Sequence, residues 1–229
     1  MVDIRLSVPK LSMGSQGALR EGWRATFFSA FWGLPSGPIG WVGARVLPFL
    51  AGRLYEVMAD QLDLQPDDDL LDVGCGSAAL LGDRAAGVRY VVGVDASQIQ
   101  VGMARQRLAD RIAAGTAEIV LGDASALPWE DGRFSAVASM NCLKFVPDPD
   151  RALREMHRVL RPGGRVVHMT DPPITDPDKS GEVDAFGIRQ WSADDSRRMM
   201  EQAGFADVLV TQLPAKYLKL QLVRGVKPA

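Results

Sequence analysis

The chain has 229 residues, 47% hydrophobic and 24% charged, which suits one α/β domain with an accessory segment and a substantial core. A net charge of -2 and a pI of about 5.7 exclude an overall basic field of the kind that grips nucleic acid phosphates. The only cysteines, Cys75 and Cys142, are too few for a disulfide framework and fit free thiols in a reducing cytoplasm.

The amino terminus, MVDIRLSVPK, has no basic stretch followed by an apolar core, so no secretory signal is expected, and residues 1 to about 15 read as a loosely docked arm. Residues 18–32 read as a helix whose Trp23, Phe27, Phe28 and Phe31 form an aromatic stripe. With the loop GLPSGPIG that follows, this helix can act as a lid over an apolar substrate. Packing on the domain and transient docking on a membrane surface are the competing readings. The uncharged window 25–44 is long enough to raise the question of a membrane span. Gly33, Pro35, Gly37, Pro38 and Gly40 interrupt it, so no transmembrane span is expected. Residues 41–62 read as a second helix, kinked or split near Leu47 by Pro48, and the acidic run from Asp67 to Asp69 reads as a solvated turn.

The stretch LLDVGCGSAALL, residues 70–81, is the centre of the chemistry. Leu70, Leu71 and Val73 suit a strand buried on both faces, while Gly74 and Gly76 let backbone approach a ligand that a Cβ would exclude. Gly74, Gly76 and Ala79 also match the dinucleotide fingerprint, with Asp95 at about the expected distance of roughly 20 residues. A glycine turn that serves packing alone has the same look. After a short helix, residues 90–94 form a second strand ending at Asp95, which can accept hydrogen bonds from both hydroxyls of a ribose or simply cap the next helix. That helix spans 98–114 and stops at Gly115; a third strand follows at 117–121. Asp123, just beyond it, can accept from an exocyclic amine such as adenine N6. A fourth strand, 134–140, leads into Asn141-Cys142-Leu143-Lys144-Phe145 at its carboxyl end, where open α/β sheets bind ligands.

Asp150 is placed to cap the next helix, whose apolar face is Ala152, Leu153, Met156, Val159 and Leu160, and Arg161-Pro162-Gly163-Gly164 stops it. A fifth strand covers 165–169, with His168, Asp171 and Pro172-Pro173 near its carboxyl end. Ser192 and Asp195 make a capping-box variant, and the helix they start ends at Gly204. Strands at 205–213 and 216–223 are separated only by Pro214-Ala215, so they must form an antiparallel hairpin.

In the order LLDVGCGS, VVGVDAS, GDASALPWEDGRF and REMHRVLRPGGRVV, the chain resembles the class I S-adenosylmethionine-dependent methyltransferases, in particular the ubiquinone and menaquinone branch, from about Leu54 onward. The resemblance implies an α/β, Rossmann-like sheet of seven strands, mostly parallel, with a C-terminal antiparallel hairpin and a helical N-terminal lid. It divides the chain into an arm and lid over 1–46 and a methyltransferase domain over 47–229. It implies S-adenosyl-L-methionine as cofactor, with Asp72, Gly74 and Gly76 along its methionine part, Asp95 on the ribose, and Ala96 and Ile99 against adenine. Asp123 would meet the adenine N6 with Ala124 beside it, and Met140 or Asn141 would offer a backbone carbonyl to the methionine amino group. Two positions depart from the family pattern, Ala78 for its third glycine and Ser135 for an acid.

The sulfonium already carries an activated methyl group, so the protein has to hold an acceptor in line and exclude water, with no metal or covalent nucleophile. The acceptor is expected to be a small, apolar molecule in a pocket shaped by Phe27, Trp32, Lys144, Phe145, Phe186 and Trp191. His168 and Asp171 are the candidates for a general base, while His157, inside a helix, is structural. Two alternatives stay open at this point: a nicotinamide-dependent oxidoreductase using the same glycine turn, and a catalytically idle module that keeps the fold for partner binding.

Overall fold

A computed structural model of the chain describes residues 51–170, 176–184, 188–214 and 219–229. The expected aromatic helix and lid, the front of the second helix with Pro48, and Phe27, Trp32, Asp171 and Phe186 lie outside the described residues. The described part begins with helix α1, Gly52–Leu62, whose Met58 and Leu62 are buried.

Seven strands form one sheet: β1 (Asp69–Val73), β2 (Tyr90–Asp95), β3 (Ala117–Leu121), β4 (Phe134–Met140), β5 (Leu160–Thr170), β6 (Ala206–Pro214) and β7 (Lys219–Val226). Their order is β3-β2-β1-β4-β5-β7-β6, parallel from β3 to β5, with β7 antiparallel to both β5 and β6. The expected mixed sheet with its closing hairpin is therefore present. Between the strands run α2 (Gln98–Arg107), α3 (Ala109–Ala113), α4 (Pro149–Val159) and α5 (Ala193–Gln202), with a π-helical turn at Leu80–Arg84.

The central strands are apolar at nearly every position because both faces are covered. Leu70, Val91, Ala136 and Val167 pack against α1, the π-helical turn and α2, together with Met58, Leu81, Val101 and Ala104. Leu71, Val92, Val137 and Val166 face the other way, onto Leu153, Met156 and Val159 of α4 and Met200 of α5.

Several local expectations are corrected. Asp68 and Asp69 are not solvated: they are 4% and 7% exposed, and Asp69 opens β1. Asp69 meets Arg89 at 2.9 Å, Arg133 at 2.7 Å and Arg161 at 3.4 Å, while Asp68 pairs with Arg165. Ser135 belongs to the same knot, donating to Asp68 at 2.6 Å and accepting from the Asp69 amide at 3.0 Å. Asp148 rather than Asp150 caps α4, accepting from the Arg151 amide at 2.9 Å, because Pro149 then falls at the first helical position, where its fixed φ fits. β5 starts at Leu160, so Arg161 to Gly164 lies within the strand's irregular first part and not before it. β7 ends three residues later than the alternation suggests, since its pairing with β5 runs on to Val226 opposite Arg165. Gly225, which carries no hydrophobic signal, sits in that extension against Phe205 and Met200.

Candidate functional site

β1, β2 and β3 are neighbours and parallel, so their carboxyl ends lie along one edge of the sheet. Each ends at or near an acid: Asp72, Asp95 and Asp123. The turn leaving β1 is tied to β2 by the amides of Gly74 and Cys75, which both donate to the Val94 carbonyl, at 2.8 and 3.1 Å. The Gly76 amide donates to Asp95 Oδ2 at 2.9 Å, and the Ser97 amide to Asp95 Oδ1 at 2.8 Å. Two backbone donors thus hold this carboxylate from opposite sides, and each oxygen keeps a lone pair for a ligand.

The two glycines are needed for different reasons. Gly74 has φ 74° and Gly76 φ 54°, a region that side chains rarely enter. A Cβ on Gly74 would also lie 2.4 Å from Cys142 Cβ, whereas one on Gly76 would meet nothing closer than Gln100 at 3.9 Å. Gly74 therefore gives both conformation and room; Gly76 gives conformation. Ala78 and Asn141 adopt φ 59° and 55° without being glycine.

The electrostatics are one-sided. Asp72 is 3% exposed, and burial together with the neighbouring Asp95 carboxylate pushes its pKa up to about 8. Burial also raises Asp95, against the opposing pull of the Ser97 and Gly76 amides. Asp123 is exposed and accepts from the Ser125 amide at 2.8 Å. Burial first, and then Asp95, Asp72 and Asp123, push the Cys142 thiol up to about 12, with Ser139 acting in the other direction, so all three acids act on one point. No thiolate nucleophile is available at neutral pH.

Three buried polar atoms around this turn have no hydrogen-bond partner: Ser77 Oγ, Gln100 Oε1 and Asn141 Oδ1. An unmade bond of this kind costs about 1 to 3 kcal/mol each, a cost that a polar ligand removes. A molecule with a sugar diol and a cationic end fits the set: diol toward Asp95, cation toward Asp72, polar edges toward the three orphans. Ala96 is exposed, and Ile99 and Ala124 are half-buried, on the Asp95 and Asp123 side. Met140 ends β4, and the Asn141 amide donates to the Met169 carbonyl at 2.8 Å, closing β4 onto β5. Sequence reasoning missed Ser77, Gln100 and the seating of Cys142 on Gly74, none of which has a charge or a glycine to announce it.

Of the expected acceptor residues, Lys144, Phe145 and Trp191 are described. Lys144, 5% exposed, and Phe145 form a 3-10 turn after β4, with the Lys144 ammonium 5.0 Å from the Phe145 ring centre. Trp191 is 7% exposed and packs in the core with Met200, Ala203 and Phe205. His168 is buried in β5 between Ser139 and Val223, and burial pushes its pKa down to about 4.

The family described as "Methyltransferase domain" matches residues 71–168. An O-methyltransferase, cnsE, of Penicillium expansum is 31% identical over 167 residues, covering 70% of this chain and 60% of the relative. A ubiquinone/menaquinone biosynthesis C-methyltransferase, UbiE, of Vibrio campbellii is 34% identical over 121 residues, 49% of this chain and 45% of the relative. Among solved structures, geranyl diphosphate C-methyltransferase of Streptomyces coelicolor A3(2), in complex with Mg2+, geranyl diphosphate and S-adenosyl-L-homocysteine, superposes with a TM-score of 0.66 at 20% identity, covering 86% of this chain and 87% of that one. The chain spans 60% or less of the length of these curated relatives.

Proposed function

Since the chain belongs to the class I S-adenosylmethionine-dependent methyltransferases, we propose that it transfers a methyl group to a small, apolar acceptor. The observation that carries this reading is the Asp95 carboxylate at the end of β2, fixed by the Gly76 and Ser97 amides beside Asp72. The name of the Vibrio campbellii relative, a ubiquinone/menaquinone biosynthesis C-methyltransferase, supports the acceptor class. When bound, S-adenosylmethionine supplies an activated methyl group. The chain's own residues bind and orient it.

In this reading Asp95 accepts from the ribose hydroxyls, and Asp72, Gly74 and Gly76 run along the methionine part. Ala96, Ile99, Asp123 and Ala124 surround adenine, while the chain reversal at Asn141 presents a backbone carbonyl to the amino group. Lys144 and Phe145 border the acceptor with Phe27, Trp32 and Phe186, the aromatic amino-terminal segment excluding water above them. A base role, where the acceptor's proton needs one, falls to His168 or Asp171. The two free cysteines support a reducing, cytoplasmic setting.

Calorimetry with S-adenosylhomocysteine tests the assignment. Asp95→Ala is expected to weaken binding roughly 10- to 100-fold, the value of one or two charge-assisted hydrogen bonds. Because Asp95 also anchors the turn through both oxygens, Asp95→Asn, which keeps one acceptor oxygen, should give a smaller loss of affinity together with a lower melting temperature, one of the two backbone amides losing its acceptor. Full affinity in both variants would remove the ribose assignment.

A further inference from the structure

Three arginines stand at one level along the amino ends of the sheet, at the opposite end of the strands from the glycine turn. Arg89 directly precedes β2, Arg133 directly precedes β4, and Arg161 is the second residue of β5, while β1 lies between β2 and β4. All three turn to Asp69, the first residue of β1. Arg89 donates to its Oδ1 through Nε at 3.1 Å and Nη2 at 2.9 Å, and Arg133 and Arg161 donate to Oδ2 at 2.7 and 3.4 Å. A carboxylate offers about four lone-pair sites, so Asp69 is full.

Asp68 gives no relief, because Arg165 takes both its oxygens and Ser135 donates to one of them. Among the described residues, no acid other than Asp69 pairs with Arg89, Arg133 or Arg161. Three guanidiniums therefore share one negative charge, and an excess of about two positive charges surrounds a carboxylate that can accept nothing more.

The forks are held in place. Arg133 lies over the Tyr90 and Phe134 rings, 5.3 and 5.2 Å from their centres, and Arg89 grips one oxygen with two nitrogens. They are also open to solvent: the side chains of Arg89, Arg133 and Arg161 are 57%, 30% and 41% exposed. Each guanidinium has five N–H groups and spends at most two on Asp69, so every fork keeps donors for a second anion. Fixed arginines with surplus charge suit a phosphate group, whose oxygens accept several such bonds and whose double charge matches the excess. A carboxylate or chloride would cancel only half of it.

We propose that Arg89, Arg133 and Arg161 form an anion site for a phosphate-bearing small molecule at the amino ends of the sheet, separate from the site at the carboxyl ends. The cluster is centred on a buried acid, which suits a compact soluble group better than a flat lipid surface. The inference stands independently of the cofactor reading.

Thermal unfolding of the full chain tests it, with sodium pyrophosphate as probe and sodium chloride at equal ionic strength as reference, because general screening acts in both. Pyrophosphate is expected to raise the wild-type melting temperature by roughly 3 to 6 °C over the reference, the shift of a site filled at about ten times its dissociation constant. Arg161→Gln removes the longest bond to Asp69 and so disturbs the fold least. It should abolish most of that shift, as should Arg89→Gln, while Arg154→Gln, exposed on α4, keeps it. No shift beyond chloride in wild type, an undiminished shift in Arg161→Gln, or an equal loss in Arg154→Gln would overturn the site. Sedimentation with phosphatidylglycerol vesicles that Arg161→Gln abolishes, without a pyrophosphate effect, would move the cluster to a lipid surface and overturn the small-molecule assignment.

Discussion

Asp72, proposed to lie along the ligand, costs the ligand-free fold stability. Its folded pKa, raised to about 8, lies above the usual carboxyl value, so the stability linked to its proton is full at low pH and is lost as pH rises toward and through 8. Asp72→Asn is accordingly expected to raise ligand-free stability at pH 8.5 by more than about 1 kcal/mol in urea unfolding, and to weaken S-adenosylhomocysteine roughly tenfold. A variant less stable than wild type at that pH would show that the carboxylate is compensated by something other than ligand. Ala78 makes the opposite point. With φ 59° it pays for a left-handed backbone that glycine enters freely, so Ala78→Gly should stabilise the fold by about 1 kcal/mol. At this scale the sequence was readable where chemistry is carried by acids and glycines, and silent at Ser77, Gln100 and Cys142, whose importance comes only from what lies beside them.

Among the elements, β3 and β4 were legible to the residue, because apolar runs bounded by Gly115, Gly122 and Asn141 leave little choice of register. The start of β5 and the end of β7 were not, since each is set by a partner strand and not by its own alternation. β5 also carries a buried polar row. Ser139 faces His168 across β4 and β5, and Thr170 faces Gln221 across β5 and β7, with His168 Nδ1, Thr170 Oγ1 and Gln221 Oε1 without a hydrogen-bond partner among the described residues. The His168 ring is neutral when folded and its pKa falls to about 4, so stability is lost as pH drops below about 6.5, the unfolded value. Urea unfolding at pH 7 and pH 4.5 should show His168→Gln sparing roughly 2 to 3 kcal/mol of that acid-side loss. Equal losses in the two proteins would place the titration elsewhere. Both sheet edges are blunted by arginine: Arg105 donates to the Ile119 carbonyl of β3 at 2.9 Å, and Arg197 to the Val208 carbonyl of β6 at 2.5 Å.

Among the described residues, the sheet is electrically asymmetric along its strands. At the amino ends Asp68 and Asp69 are met by Arg89, Arg133, Arg161 and Arg165; at the carboxyl ends Asp72 and Asp95 repel one another. Composition could not show this, because the arginines of the knot come from distant parts of the chain and a net charge of -2 averages the two ends away. Burial works to raise Asp68, but hydrogen bonds from Arg165 and Ser135 outweigh it and hold the carboxyl below its ordinary value. Its contribution is therefore present above about pH 4 and lost as pH falls further. Asp68→Ala, which strands Arg165 and Ser135, is expected to cost roughly 2 to 4 kcal/mol in denaturant unfolding at pH 7 while leaving S-adenosylhomocysteine affinity unchanged. A loss of affinity in that variant would mean that the two ends of the sheet are coupled.

The mutual repulsion of Asp72 and Asp95 also reaches into the choice of solution. Two neighbouring acids with no cation paired to either among the described residues favour a small protonated amine. Tris or ammonium is expected to compete with a cationic ligand there, so titrations in phosphate should report the tighter constant.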